Sequence, residues 1–221
     1  MKLGAGEFSY RIHDEEARLN VNVAGVAVLD RFLTVLGLEK RVRDTIIDSL
    51  QDWKDANDDH RLNGAESDDT YLKLPVPYRA RNANLEDTGE LLQIKGVTPE
   101  IYFGNDRQPG LVDHVTVHSS GRININTASE VVLRGLGLSD AELTDIVQSR
   151  RATPYASVPG RFAGRQLIVA TQTYRIEAEG RVAGELGARI TAIVRRRVAA
   201  GVGPTVVVLS WRPDAAPRKR S

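Results

Sequence analysis

The length, composition and charge of the chain exclude several classes of protein. It has 221 residues, a formal net charge of +1 and no cysteine. The length suffices for one large domain or two small ones. The balanced charge provides no global field that would attract nucleic acid or a membrane, and the missing cysteines exclude a disulfide framework, a thiolate metal site and a cysteine nucleophile.

The start of the chain predicts a strand without a targeting segment before it. Residues 1–9 are polar and glycine-rich, and no apolar run approaches the roughly 20 residues that span a bilayer. We therefore interpret the start as truncated or tagged. Residues 8–12 alternate between apolar and polar side chains, as a half-buried strand does.

A helical hairpin follows and recurs in the sequence. Residues 19–29 match 123–133 at both asparagines of an Asn-x-Asn motif and at several apolar positions, and Leu-Gly-Leu follows each copy. The first copy predicts helices over about 24–36 and 39–53. A looser third copy covers 90–100, where Thr98 is placed to cap a helix that Pro99 begins. The middle of the chain is therefore predicted to contain repeated small helical hairpins.

The copy at 123–138 is the clearest of the three. Thr127, with Glu130 three residues later, is placed to cap its first helix. Gly135-Leu136-Gly137 breaks that helix. Ser139 and Glu142 form a second Ser-x-x-Glu capping box, and Pro154 ends the helix that follows.

The stretch 52–71 is the most acidic part of the chain and predicts a calcium site. Calcium takes about 6–8 oxygen ligands, and an EF-hand loop supplies them from positions 1, 3, 5, 7, 9 and 12. That spacing matches, in order, Asp55, Asn57, Asp59, the carbonyl of Arg61, Asn63 and Glu66, and Asp69 is a further candidate ligand. Position 6, normally glycine, holds His60. The alternative is a solvated acidic loop, but so many like charges repel one another unless a cation lies among them.

Two histidines and a group of arginines suggest no site of their own. His114 and His118 flank a possible short strand at 112–117, and since no third ligand is close in sequence, we interpret both as surface histidines. The arginines at 150, 151, 161 and 165 form a mildly basic connector.

From residue 167 the pattern changes to strands. Residues 174–180, 188–194 and 205–211 alternate, and glycine-rich turns separate them. An antiparallel three-stranded meander is therefore predicted. Residues 213–221, with the basic Arg218-Lys219-Arg220, are predicted to be a disordered tail.

Taken in order, these motifs resemble one known family. The opening 9–22, the segment from Asp52 through Gly64-Ala65-Glu66 to Tyr71, the unit 123–133 and the closing strands 174–180 and 189–195 are similar to the general secretion protein K family. Members of that family are the large minor pseudopilins of type II secretion systems. The resemblance covers about residues 8–197, and several separated motifs in one order are far more specific than any single one.

The resemblance implies a fold and a place in an assembly. It implies an α+β protein: a small antiparallel pseudopilin-type sheet formed by 1–13 and 165–212, with a large helical domain of helix-hairpin-helix-like repeats inserted at 14–164. It implies a periplasmic position at the pseudopilus tip, with minor pseudopilins I and J and possible contact with exported proteins, and calcium in the helical domain. It also implies a leader and an apolar anchoring helix, neither of which occurs in these 221 residues. We therefore expect a chain cut before residue 8 whose parent is anchored in the inner membrane.

Two other functions compete with this interpretation. A helix-hairpin-helix could bind DNA, because the amides of Gly135-Leu136-Gly137 could hold a phosphate. However, Asp140, Glu142 and Asp145 lie where that phosphate would be, and phosphate contacts need Lys or Arg. An enzyme is disfavoured because no nucleophile elbow, zinc-binding helix or phosphate loop is present, and no catalytic or cofactor-binding residues are assigned.

Overall fold

The structure is a computed structural model that describes residues 1–106, 108–199, 201 and 203–214. In chain order the strands are β1 (Lys2–Leu3), β2 (Gly6–Asp14), β3 (Leu19–Asn20), β4 (Gly104–Asn105), β5 (Gln108–Pro109), β6 (Val115–Thr116), β7 (Ile123–Asn124), β8 (Leu167–Ile168), β9 (Thr173–Val182), β10 (Glu185–Ala199) and β11 (Gly203–Asp214). The α-helices are α1 (Val26–Val35), α2 (Lys40–Lys54), α3 (Pro99–Phe103), α4 (Leu111–His114), α5 (Glu130–Gly135) and α6 (Asp140–Ala152). Short 3₁₀ helices lie at Glu15–Ala17, Tyr71–Lys73, Thr88–Gln93 and Gly160–Phe162.

The chain divides into two units. One contains residues 1–16 and 170–221, and the other contains residues 17–169. The first includes the sheet β1-β2-β9-β10-β11, in which neighbouring strands are antiparallel. The helical unit is inserted in the sequence between β2 and β9. The predicted α+β class, with a helical domain inserted into an antiparallel sheet, is confirmed.

The sheet has one apolar face. Ile12 lies opposite Ile176, Ile176 opposite Ala192, and Ala192 opposite Trp211, so these side chains share a face. Tyr10 is two residues from Ile12 and therefore lies on the same face. Tyr10, Ile12 and Trp211 are each more than half exposed. The predicted strand at 8–12 and the three-stranded meander are confirmed.

The tail prediction needs one correction. β11 continues to Asp214, with Pro213 opposite Ile190 and Asp214 opposite Arg189. Residues 213 and 214 are therefore strand, because the ladder with β10 continues past Trp211. Residues 215–221, which include Arg218-Lys219-Arg220, lie outside the described residues.

The helical unit is built around two hairpins, α1–α2 and α5–α6. Their apolar positions at helical spacing form one buried core: Leu29, Phe32, Leu33, Ile46, Ile47, Leu50, Trp53, Val132, Leu133, Leu143 and Ile146. α1 packs against α5, and a Cβ atom on Gly135 would lie 3.0 Å from the Cβ of Phe32. The absent side chain at Gly135 therefore allows the two helices to approach closely.

The ends of the helices show which capping predictions hold. The Ser139–Glu142 capping box is present, and the Thr98 side chain accepts a hydrogen bond from the Ile101 amide. Both predictions are confirmed. The predicted cap at Thr127 is wrong: Ser129 is the N-cap of α5 and accepts from the Val132 amide at 3.3 Å. The helix begins later because Thr127 lies within a turn: the Asn126 amide donates to Asn124 Oδ1, and the Thr127 and Ala128 amides donate to the Asn124 carbonyl at 3.2 and 2.9 Å.

The third predicted hairpin is smaller than its sequence suggests. Its first arm is the 3₁₀ helix Thr88–Gln93 and its second is the five-residue α3.

Among the helices of the described residues, none combines the length and the apolar character that spanning a bilayer requires.

Candidate functional site

The acidic loop begins where α2 ends. Asp55 is the residue that follows the helix, and the loop continues to the 3₁₀ helix at Tyr71–Lys73. Trp53, at the end of α2, stacks edge-on against Tyr71 with ring centroids 5.4 Å apart. Both aromatic side chains are buried. The two ends of the loop are therefore held together by an aromatic contact.

A buried aspartate organises the inside of the loop. Asp52 is fully buried and accepts hydrogen bonds from the Arg61 amide at 3.1 Å and the Ala65 amide at 2.9 Å. The Arg61 guanidinium donates to Asp52 at 2.5 Å and to Asp55 at 2.7 Å. A Cβ atom on Gly64 would lie 1.8 Å from Asp52 Oδ2. Glycine at 64 therefore makes room for this carboxylate.

Glu66 is a buried acid with no hydrogen-bond partner for its carboxylate. Its side chain is 2 % exposed, and neither Oε1 nor Oε2 has a partner in the described part of the chain. Burial, followed by the charge of Asp52, raises the pKa of Glu66 to about 7. Asp55 Oδ1 is also buried without a hydrogen bond. Three carboxylate oxygens in this loop thus lack the compensation that buried polar groups normally have.

The predicted metal ligands are only partly brought together, and Asn63 Nδ2 donates instead to Asp48 at 3.0 Å. Asp55 lies close enough to Glu66 to contribute to its raised pKa. Asp69 accepts from the Glu66 amide at 3.1 Å and lies 3.4 Å from the His60 ring. Asn57 and Asp59 are exposed, and Asn57 Oδ1 accepts from the Asp59 amide. Among the described residues, no group of three or more His, Asp or Glu side chains is arranged to hold a metal ion.

The sequence interpretation missed two members of this loop. It did not assign Asp52, and it counted only the carbonyl of Arg61, whereas the Arg61 side chain bridges two carboxylates. Asp52 lies on the last turn of α2, three residues before Asp55, which follows the helix; residues three apart on a helix lie on one side. That spacing was a usable signal. No sequence signal predicted the direction of the Arg61 side chain.

The glycine hairpins are not arranged to hold phosphate. The Gly137 and Leu138 amides donate to Arg134 and Leu133 carbonyls, at 2.8 and 3.4 Å, and so close the end of α5. The Ser139 amide donates to the Glu142 carboxylate at 2.7 Å. A glutamate therefore occupies the place a phosphate would take. In the first copy, Gly37 and Leu38 amides are likewise bonded within the hairpin.

The interpretation of His114 as a surface histidine is wrong. It ends the short helix α4, is 9 % exposed, and its ring lies edge-on to Phe32. Ser129 Oγ lies 3.3 Å from His114 Nδ1. Burial lowers the pKa of His114. The predicted strand at this point is only Val115–Thr116, which pairs in parallel with β3 directly after His114.

Comparison with known proteins identifies the family. Two sequence profiles described as type II secretion system protein K match residues 11–104 and 123–170. The type II secretion system protein K of Pectobacterium carotovorum subsp. carotovorum is 30% identical over 176 residues, covering 69% of this chain and 52% of the relative. That of Pseudomonas aeruginosa is 27% identical, covering 66% and 45%. The chain thus spans about half the length of these relatives.

A solved structure has the same fold. A chain of the crystal structure of the GspK-GspI-GspJ complex from the enterotoxigenic Escherichia coli type 2 secretion system superposes with a TM-score of 0.76. It is 21% identical, and the match covers 97% of this chain and 82% of that one. With both profiles and the fold in agreement, this chain belongs to the type II secretion system protein K family.

Proposed function

We propose that this chain is the part of a minor pseudopilin that caps the pseudopilus of a type II secretion system, in complex with minor pseudopilins of the I and J types. Membership of the protein K family supports this role, and so does the shared fold with a chain crystallised as a GspK-GspI-GspJ complex. The role is assembly and needs no catalysis. The chain would support export across the outer membrane and would contact exported proteins transiently.

The apolar face of the sheet is the observation that carries the assembly role. Tyr10, Ile12 and Trp211 are 53%, 57% and 61% exposed on that face. Exposed apolar side chains grouped in this way are typical of protein interaction surfaces. The opposite face, by contrast, carries paired charges such as Arg189 with Glu179, at 2.6 Å. We infer that the apolar face packs in the assembly.

The inserted helical unit gives a reason for the terminal position. Residues 17–169 make up most of the chain and enter the sequence between two adjacent strands, β2 and β9. A subunit that carries such an insertion does not fit a shaft of small repeated subunits. It would occupy one end and stop further growth.

Export by living cells tests the assembly role. In cells lacking the gene for the full-length protein, exported enzymes should accumulate inside, and the gene should restore their release. Ile12→Lys should not restore it, because the charge lies on the apolar face. Ser9→Lys, on the same strand but the opposite face, is the matched control and should restore release. Normal export without the gene would overturn the function, and full rescue by Ile12→Lys would overturn the interface.

We also propose that the acidic loop binds calcium. Carboxylate and carbonyl oxygens are the ligands calcium prefers, and the unpartnered oxygens of Glu66 and Asp55 fit a bound cation. Glu66 and Asp55 would hold the ion, with Asn57, Asp59 and Asp69 as further ligands. The ion would add positive charge to that of Arg61, which bridges Asp52 and Asp55. It would thereby make rigid the segment between α2 and the 3₁₀ helix at Tyr71–Lys73.

Isothermal titration calorimetry tests the calcium site. The EDTA-treated chain should bind calcium, and magnesium should not compete at equal concentration because it demands a stricter octahedral shell. Asp55→Asn should weaken binding strongly. Asp68→Asn is the matched control, since Asp68 is an exposed acid of the same segment paired only loosely with Arg79 at 3.7 Å. Absence of heat with the unmodified chain would overturn the site.

The cellular location follows from the same role. We propose that the chain lies in the periplasm and that the full-length protein is anchored in the inner membrane by an apolar helix outside these 221 residues. Protease accessibility in spheroplasts checks this: the chain should be digested from outside without lysis. Protection until the inner membrane is broken would contradict it.

A further inference from the structure

A cavity in the helical unit lies beside the second glycine hairpin. Its volume is about 490 Å³. Its lining combines two arginines and a glutamine with apolar residues and glycines: Val28, Arg31, Leu136, Gly137, Gly164, Arg165 and Gln166. The two arginines come from distant parts of the sequence, one from α1 and one from the segment after α6. None of the roles proposed above uses this cavity.

Both guanidinium groups are fixed against Gly137. Arg31 Nε donates to the Gly135 carbonyl at 3.2 Å, and Arg165 Nη1 donates to the Gly137 carbonyl at 2.5 Å. A Cβ atom on Gly137 would lie 3.3 Å from Arg31 Nε and 3.8 Å from Arg165 Nη1. Gly137 also has φ +83°, which favours glycine. The missing side chain thus lets two cationic groups converge on one point.

The charge of the pair is only partly neutralised. Arg165 Nη2 lies 3.7 Å from Glu142. Arg31 has no carboxylate within 4.0 Å in the described part of the chain, and one hydrogen bond uses one of its five donors. Leu136, which is buried, and Val28, which is half-buried, provide an apolar surface beside these donors. The cavity therefore offers free N–H donors, a surplus positive charge and an apolar wall.

This combination matches a carboxylate and an apolar side chain that are bonded to the same carbon. Guanidinium groups bind planar carboxylates through paired hydrogen bonds. The C-terminal residue of a peptide carries both features, and the exposed edge formed by Arg31, Gly137 and Gln166 leaves room for the rest of the peptide. We propose that the pocket beside Gly137 binds the C-terminal residue of a protein segment. The site does not depend on the pseudopilus role, so its failure would leave that role intact.

Nucleic acid is a poorer occupant. A phosphate backbone is bound through several Lys or Arg contacts, whereas this pocket offers two arginines, one of which lies 3.7 Å from the Glu142 carboxylate. The hairpin amides are already bonded within the protein. Duplex DNA therefore serves as a discriminating probe.

Nuclear magnetic resonance on the ¹⁵N-labelled chain tests the proposal. The probes are acetyl-Ala-Leu with a free carboxylate, its C-terminal amide, acetyl-Leu-Glu-Leu-amide with only a side-chain carboxylate, and a short DNA duplex. The free carboxylate should shift the Gly137 and Gly164 amides and the Arg31 Nε–H signal at millimolar concentration. Arg31→Gln and Arg165→Gln should each weaken that binding about tenfold, as expected for a lost charged hydrogen bond. Arg151→Gln, an exposed arginine of the same unit, should change nothing.

Each other outcome overturns the proposal. Equal shifts with the amide would mean apolar contact alone. Equal or larger shifts with the internal glutamate, or with DNA, would assign another ligand class. No shift with the free carboxylate would mean no site. Because Arg31 is exposed, Arg31→Gln should keep the folded spectrum even if Arg165→Gln does not.

Discussion

The side chain of Asn126 clasps the backbone of Tyr155 through two hydrogen bonds. The Tyr155 amide donates to Asn126 Oδ1 at 2.7 Å, and Asn126 Nδ2 donates to the Tyr155 carbonyl at 3.0 Å. Asn22 makes the same pair with Leu85, at 2.9 and 2.8 Å. The second asparagine of each Asn-x-Asn repeat therefore ties its hairpin to a later segment. This motif is structural and explains why the repeat keeps asparagine at that position.

Replacing Asn126 by aspartate tests the clasp. Asn126→Asp keeps the shape but turns a donor into an acceptor that faces the Tyr155 carbonyl, so we expect a loss of about 1–3 kcal/mol in the free energy of unfolding. Urea denaturation measures it. Asn84→Asp, at an exposed asparagine of the same unit, should stay within about 0.5 kcal/mol. Equal effects of the two changes would contradict the clasp.

The close contact between Gly135 and Phe32 predicts an intolerance to larger side chains. A Cβ at 135 would lie 3.0 Å from the Phe32 Cβ and 3.3 Å from its Cα, so the helix backbones themselves would have to separate. Gly135→Val should therefore destabilise the chain by about 1–3 kcal/mol, as overpacking does. Thermal unfolding measures the loss. Gly160→Ala, where no atom lies within 4 Å, should be neutral, and an equal loss there would reject the explanation.

The unpartnered carboxylate of Glu66 predicts effects of opposite sign with and without calcium. In EDTA, Glu66→Gln should raise the unfolding midpoint, because it removes a buried charge that has no partner. In millimolar calcium, the unmodified chain should gain about 2.7 kcal/mol at a hundredfold excess over Kd, and the variant should gain none. Scanning calorimetry in both buffers measures the midpoints. A variant that still gains from calcium would remove Glu66 from the site.

Buried His114 predicts a loss of stability in mild acid. The unfolded chain takes up this proton near pH 6.5, whereas the folded chain takes it up at lower pH, since burial lowers the pKa of His114. Asp113 opposes the shift and Arg18 adds to it. As pH falls below 6.5 the unfolded state therefore binds more protons and is favoured. Ring-proton NMR should give His114 a midpoint below 6.5, and a midpoint at or above that value would contradict its burial.

The stability of variants at two pH values checks the same residue. Between pH 7 and pH 5, the unmodified chain should lose more unfolding free energy than His114→Gln, because glutamine has no proton to take up. Identical losses in the two chains would mean that His114 does not contribute.

Local signals in the sequence predicted the local structure well. Ser139 with Glu142, and Thr98 before Pro99, are capping patterns whose partners lie within three residues, and both caps are present. The predicted cap at Thr127 was wrong because two other local features compete with it: the Asx turn at Asn124 and the hydroxyl of Ser129. Spacing alone does not rank such competitors.

The residues of the candidate sites depend on long-range contacts that no local sequence pattern predicts. His114 looked solvent-exposed because its burial comes from Phe32, which lies in α1, far away in the sequence. Arg61 was counted for its carbonyl, but its guanidinium bridges Asp52 and Asp55. Arg31 and Arg165 both lie against the hairpin at Gly137 because α1 packs against α5 and the chain returns past this glycine. Long side chains reach across the fold, and their targets follow from packing.

Assembly with the other minor pseudopilins is the central claim, and sedimentation velocity tests it most directly. The chain is mixed in calcium with the soluble parts of the I and J pseudopilins from the same organism. We predict one boundary that contains all three proteins, and its loss when Ile12→Lys replaces the unmodified chain but not when Ser9→Lys does. Three separate boundaries for the unmodified mixture would contradict the claim.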